Sequence, residues 1–228
     1  MKREPFDSSV AGLVLTLLLS SSIAVAAVED AKTPYIGYSM YSLTLGNPST
    51  LGTAPPGQSL HIFANVKDVA IRLASVSDGP IFLRNNAVVG ELGVGYFVLD
   101  AVEVGLLWGG ESFSVDDRDS SVGTAGLYVN HYQNLASTID LESTFTWRSY
   151  SISSTNGDYD VETGSIDETK REESQSGLRF GTTAIVRLND VIDIGAGLTL
   201  AWYFEPSATG FKTKGTTFSI PVTLRLKF

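Results

Sequence analysis

Apolar and polar residues alternate along most of this chain, most regularly at its end. Phe218, Ile220, Val222, Leu224, Leu226 and Phe228 are apolar, while Ser219, Thr223, Arg225 and Lys227 are polar and Pro221 shares their phase. Successive side chains of a strand point to opposite faces, so this segment predicts a strand with one greasy face and one wet face. The same period returns upstream. Ile192, Ile194, Ala196, Leu198, Leu200, Trp202 and Phe204 oppose Asp193, Gly195, Gly197 and Thr199. Leu178, Phe180, Ala184, Val186 and Leu188 oppose Arg179, Thr183 and Arg187. Ile139, Leu141, Phe145 and Trp147 oppose Asp140, Glu142, Thr144, Thr146 and Arg148. Val102, Val104, Leu106 and Trp108 oppose Glu103, Gly105, Gly109 and Glu111, and Val88, Leu92, Val94, Tyr96 and Val98 oppose Glu91, Gly93 and Gly95. Ala125 to Gln133 also predicts a strand, but its mixed pattern assigns no faces.

The connections alternate in length. Leu99-Asp100-Ala101, Asn134-Leu135-Ala136 and Asn189-Asp190 read as tight turns, with the Asn and Asp residues that such turns favour. Between them stand longer polar stretches at Val115–Gly123, Ser151–Ser176 and Glu205–Gly215. The Asp-, Glu-, Ser- and Gly-rich part from Thr155 to Ser176 reads as a mobile surface loop. His61 to Leu73 predicts two short strands around a turn at Val66-Lys67-Asp68, and Tyr35 to Leu45 a further strand. Counting these gives ten strands. Treating residues 27 to about 66 as a plugging segment gives eight. The turn at Val66–Asp68 resembles the other tight turns and favours ten.

Composition narrows the class. The chain is 43% hydrophobic, yet past its first residues it has no apolar run long enough for a membrane helix. Greasiness without greasy runs is what a membrane-spanning barrel requires, because only alternate residues meet lipid. A net charge of −9 argues against a nucleic-acid partner. With no cysteine there is neither a lipoprotein anchor nor a disulfide. Lys2 and Arg3, the short apolar run Val10–Leu19 and the tripeptide Ala24-Val25-Ala26 predict a secretory signal over residues 1–26, cleaved after Ala26. Residues 27–228 are then one barrel domain.

The Phe218–Phe228 pattern resembles the C-terminal signal strand of bacterial outer-membrane β-barrels, and the whole resembles the small barrels of the OmpA membrane-domain and OmpX class. That resemblance implies an antiparallel up-and-down barrel in the outer membrane, short turns in the periplasm and long loops outside. It also implies contact with lipid and lipopolysaccharide, and assembly by periplasmic chaperones and the barrel assembly machinery.

Three sets of residues carry candidate function. Phe218, Ile220, Val222, Leu224, Leu226 and Phe228 form the assembly signal strand. Trp108, Trp147 and Trp202 fall on the apolar face towards the long loops, with Tyr96 near the other rim, as an aromatic girdle. Glu91, Glu103, Glu111, Asp140, Glu142 and Asp193 share the interior with Arg148, Arg179, Arg187, Arg225 and Lys227. Charges in so narrow a space must pair or stay hydrated, so they predict a cross-lumen ion-pair network and a plugged lumen. No cofactor or metal is expected, since no nucleotide loop or metal-spaced cluster occurs. An enzyme is the minority expectation: His131 has no serine near it in sequence and lies beside a periplasmic turn. The acidic stretch 151–176 is a candidate for an extracellular ligand. A structural or surface-interaction barrel, a narrow channel and a lipid-modifying enzyme all remain open.

Overall fold

A computed structural model describes residues 31–45, 58–76, 89–115, 118–160, 165–204 and 215–228. They form ten antiparallel strands: β1 (Tyr35–Leu45), β2 (Gln58–Val66), β3 (Val69–Val76), β4 (Val89–Leu99), β5 (Val102–Val115), β6 (Arg118–Ala136), β7 (Ile139–Asp160), β8 (Ser165–Arg187), β9 (Ile192–Tyr203) and β10 (Gly215–Lys227). Each strand pairs with its neighbour in sequence, and β1 pairs with β10, so the sheet closes as an up-and-down barrel. The ten-strand count holds. The predicted signal segment 1–26 and the loop at 205–214 lie outside the described residues.

Register fixes the shape. Following paired residues from Tyr35 through Arg72, Leu107 and Arg148 reaches β10 at Gly215, whereas the direct partner of Tyr35 is Lys227. That is a stagger of 12 residues (227 less 215) around the closed sheet. With ten strands it sets a tilt of about 40° and a backbone radius of about 10 Å. Crossing a 25 Å apolar band at that tilt takes roughly ten residues.

The outward face is apolar and exposed. Met40, Leu60, Leu73, Val94, Leu106, Leu127, Leu198, Val222 and Leu224 are among the large apolar side chains that face out. In water these would form a continuous greasy belt, which monomeric soluble proteins avoid; lipid is the surrounding that matches it. The belt has a sharp upper edge. Leu106, Leu127, Trp147 and Leu178 share one register row, and two residues higher the row reads Trp108, Ala125, Ser149 and Ser176. Two further up it reads Gly110, Gly123, Ser151 and Ser174. The lipid face ends there because the sequence stops supplying apolar residues.

Two predictions need correction. The described parts of the stretches expected as loops, residues 115, 118–123, 151–160 and 165–176, are paired strand. Pairing runs out to Val115↔Arg118 between β5 and β6, and to Asp160↔Ser165 between β7 and β8. Polar residues hide this from any apolar period, but Ser and Thr satisfy a ladder's backbone bonds as well as Val does. β7 and β8, at 22 and 23 residues, exceed what the membrane needs by roughly twelve, so they rise about 30 Å beyond it. The turn expected at Asn134–Ala136 lies at Ser137-Thr138 instead, after an irregularity in register between Asn134 and Ala136. The β2–β3 turn is Lys67-Asp68, with φ of 50° and 72°. Positive φ at both central residues is the type I′ geometry that suits the twist of a two-residue hairpin.

β6 now has faces. Leu127, Val129 and His131 point out, while Tyr128, Asn130 and Tyr132 point into the lumen and are buried. Lumenal tyrosines and outward His131 and Gln133 are what blurred its alternation.

Candidate functional site: the barrel lumen

The lumen is built in layers. At the level of the short turns an aromatic layer crosses it, made of Tyr35, Phe63, Phe97 and Tyr132 with Ala31 and Ala70, all buried. Phe97 stacks on Tyr132 with ring centroids 5.9 Å apart, and Tyr35 meets Phe63 at 5.4 Å. Phe97 continues the inward face of Glu91, Gly93 and Gly95, and Phe63 faces inward on β2, a strand to which the sequence assigned no faces. The segment before β1 closes this end. Ala31 buries itself among the rings, and the Lys32 ammonium bridges Asp68 on the β2–β3 turn at 2.5 Å and Asp100 on the β4–β5 turn at 3.3 Å. Lys32 also stands 5.1 Å from the centre of the Phe97 ring.

Directly above lies an ion pair whose carboxylate is wholly buried. Glu103, on β5, has no exposed surface and takes the guanidinium of Arg72, on β3, through Nε at 2.9 Å and Nη2 at 2.5 Å. Tyr128, Tyr132 and Asn130 donate to the same carboxylate at 2.6, 2.9 and 3.1 Å. Arg72 in turn stacks 4.5 Å over Phe63. A buried charge survives only when paired and fully bonded, and this one is both. Gly95 and Gly105 make room for it: a Cβ on Gly105 would lie 2.3 Å from the ring of Tyr128, and one on Gly95 2.4 Å from its hydroxyl. These glycines let the Tyr128 ring lie against the wall and reach Glu103.

The predicted interior charges pair in two ways: Glu142–Arg225 and Glu91–Arg148 join strands that are not neighbours, while Asp193–Lys227 and Asp140–Arg187 join neighbouring strands. Glu142 pairs with Arg225, which stacks 4.5 Å over Tyr35. Asp193 pairs with Lys227 at 3.1 Å, Asp140 with Arg187 at 3.1 Å, and Glu91 with Arg148 at 3.2 Å. Arg179 lines the upper lumen. Glu111 lies in β5, but its side chain falls outside the described set. Sequence reasoning missed Arg72 as the partner of Glu103. The alternation Ile71-Arg72-Leu73 carried the signal, since it puts Arg72 on the inward face.

These layers divide the interior. Below, a space of about 30 Å³ is lined by Thr33, Asp140, Asp193 and Lys227 among others. Above, a cavity of about 260 Å³ is lined by arginines, glutamates and hydroxyls. Tyr35, Glu142 and Arg225 border both, so they form the partition. Among the described residues, no three His, Asp or Glu side chains gather as a metal site.

The other predicted sets lie on the outer surface. Trp108, Trp147 and Trp202 face out on the side of the long hairpins, and Tyr96 faces out near the short turns. Leu224 and Leu226 face out on β10, Phe228 just past its end is exposed, and the Phe228 amide bonds the Pro34 carbonyl at 3.2 Å. His131 also faces out, and the register sets Ser143 of β7 directly opposite it, a neighbour the sequence did not reveal. The Ser143 hydroxyl bonds Thr182 at 3.4 Å instead, while Glu142 points into the lumen. The pair therefore has no carboxylate beside it on that face among the described residues, and a nucleophile–base–acid set is not assembled.

No family model matches the chain, and no curated protein matches it. Solved structures do. The likeness is to outer-membrane barrels. Ail, the attachment invasion locus protein of Yersinia pestis, is 10% identical, covering 86% of this chain and 97% of that one with a TM-score of 0.39. Neisserial surface protein A is 12% identical over 86% of this chain and 97% of that one, with a TM-score of 0.41. The N-terminal β-barrel domain of Pseudomonas aeruginosa OprF is 10% identical over 85% and 98%, with a TM-score of 0.34. At such scores, function has to be argued from this chain's own residues.

Proposed function

We propose that this protein is a bacterial outer-membrane β-barrel with a closed lumen, acting at the cell surface through the sheet that β5 to β8 raise above the membrane. The observation that carries this is the length of β7 and β8, twice what the lipid band requires. A chain that only needed to span would turn back at the belt's edge. The aromatic layer supports the closed state, since a conduit would not place buried rings across its own path. The sequence of β7 and β8 above the membrane carries Asp158, Asp160, Asp167, Glu168, Glu172 and Glu173 against Lys170 and Arg171, which suits a basic partner surface. Residues Phe218 to Phe228 serve, on this reading, as the strand that the assembly machinery engages, and the tryptophans sit among lipid and lipopolysaccharide at the outer interface.

The test is to join Ser151 to Ser174, which face each other across the hairpin, through an Asn-Gly turn. The shortened protein should still appear in the outer-membrane fraction as a folded, heat-modifiable band. Cells displaying it should lose salt-sensitive adhesion to an immobilised basic polypeptide. Undiminished adhesion would overturn the surface-interaction reading.

A further inference from the structure

β8 presents an edge above the membrane. Its pairing with β9 stops at Gly177↔Tyr203, so from Ser165 to Arg171 it has β7 on one side and, among the described residues, no strand on the other. Thr169, in the middle of that edge, stands nine residues (178 less 169) beyond Leu178, where the lipid belt ends on β8. That is about 30 Å along the strand. A free edge offers a row of backbone donors and acceptors to another strand, and proteins usually guard it with charge. The charges here have an order of their own. Asp167-Glu168-Thr169-Lys170-Arg171 runs acid, acid, neutral, base, base, so the segment is complementary to itself when reversed.

Antiparallel pairing of two identical edges has its two-fold axis normal to the sheet, so only residues of one phase stand opposite each other. Centred on Thr169, it sets Asp167 opposite Arg171 of the second copy and Glu168 opposite its Lys170, and the reverse. That makes four opposite-charge pairs and no like-charge pair. Moving the centre by one residue either way sets Glu168 or Lys170 against itself. Directly opposed unlike charges stabilise a sheet and like charges destabilise it, so the sequence selects one register. The membrane selects the arrangement. Copies in one bilayer carry β8 in the same sense and can lay it only parallel, with each charge beside its own kind, whereas copies in facing bilayers run antiparallel. We propose that β8 pairs with β8 of a second copy on another cell, joining two hairpins into one four-stranded sheet between the membranes. The pairing rests on the surface-interaction reading above and names its partner: the basic groups that meet Asp167 and Glu168 are Lys170 and Arg171 of the facing copy. One such contact is short, but a membrane presents many copies at once, and linked weak contacts hold far better than one.

The experiment displays the full chain on two cell populations carrying different fluorophores and counts mixed clusters by flow cytometry. Clusters should form when both populations display it; equal clustering with non-displaying cells would overturn the proposal, because the partner would then be another molecule. Lys170→Glu with Arg171→Glu makes the segment wholly acidic, and clustering of that variant with itself should fall at least about tenfold as four attractive pairs are lost. The chain has no cysteine, so Thr169→Cys gives each copy one thiol, placed at the axis. With an epitope tag on one population, mild oxidation of the mixed clusters should link tagged to untagged chains as a disulfide dimer, and Gln175→Cys, away from the axis, should not. Clusters of folded Thr169→Cys protein without that dimer would overturn the pairing. Wild-type cells that adhere to the immobilised basic polypeptide but do not cluster would refute it too, and leave the surface-interaction reading standing. If the acidic variant gives no folded, heat-modifiable band, the cysteine result decides alone.

Discussion

Replacing Glu103 by glutamine keeps the side chain's shape and removes its charge, at the residue with the most bonds in the lumen. The wild-type carboxylate accepts five hydrogen bonds, two from Arg72 and one each from Tyr128, Asn130 and Tyr132, and is wholly buried. Glutamine offers one carbonyl oxygen and turns an NH2 donor towards other donors. Arg72 is then left as a buried cation without a counter-charge, which costs about 3–5 kcal/mol. Bonds to a charged acceptor are worth about 1.5–3 kcal/mol each but are not additive within one network, so the total stays in the same range. Urea unfolding of the refolded protein in lipid vesicles, followed by loss of the heat-modifiable band, measures it. The double variant Arg72→Met, Glu103→Met should recover at least half the loss, because an apolar pair leaves no uncompensated charge. A Glu103→Gln protein within about 1 kcal/mol of wild type would refute the reasoning, as would a double variant worse than the sum of its singles.

Three further outcomes follow from the same geometry. Gly105→Ala sets a Cβ 2.3 Å from the Tyr128 ring, so it should lower the unfolding free energy by about 1–3 kcal/mol, and an unchanged urea midpoint would count against the fit described. Leu224→Asp puts a charge on the lipid face at a cost of up to about 2 kcal/mol; the folded band on unheated gels should fall well below wild-type yield. The Lys32 amine is held above the ordinary lysine pKa, chiefly by its hydrogen bond to Asp68, with burial opposing. A raised folded-state pKa means its contribution is whole below about pH 10.4 and is lost as pH climbs through the raised value. The melting difference between wild type and Lys32→Met should therefore be constant from about pH 6 to about pH 10 and close above that.

Architecture was legible because lipid imposes a strict rule on alternate residues, and strands such as β9 and β10 obey it from end to end. The short turns at Lys67-Asp68, Asp100-Ala101 and Asn189-Asp190 were legible through Asn and Asp chemistry, which is local, whereas the Asn134 signal misplaced its turn, which lies at Ser137-Thr138. What escaped was of two kinds. The upper halves of β7 and β8 leave the membrane, so nothing demands an apolar face there, and a run like Ser151–Ser154 reads the same as a loop until its partner strand is known. The aromatic layer across the lumen escaped: a plugged interior was expected from ion pairs alone, whereas Phe63 and Phe97 add rings to the inward face. Their inward placement needs rings from four strands and Ala31 to meet, a long-range fact that spacing does not carry. Ion pairing itself was foreseeable from balanced inward charge, but the partners were not: Glu142 and Arg225 lie 83 residues apart and meet only because the barrel closes. Ser143 beside His131 is the same lesson on the outer face.

On the function proposed above, rings and ion pairs seal this barrel at the end bearing the short turns. Single-channel recording of the refolded mature protein in a planar bilayer tests it most directly. Protein shown to be folded and inserted should be silent over a range of voltages and salt concentrations. Steady openings whose conductance scales with salt would contradict the claim and make the lumen a water-filled path.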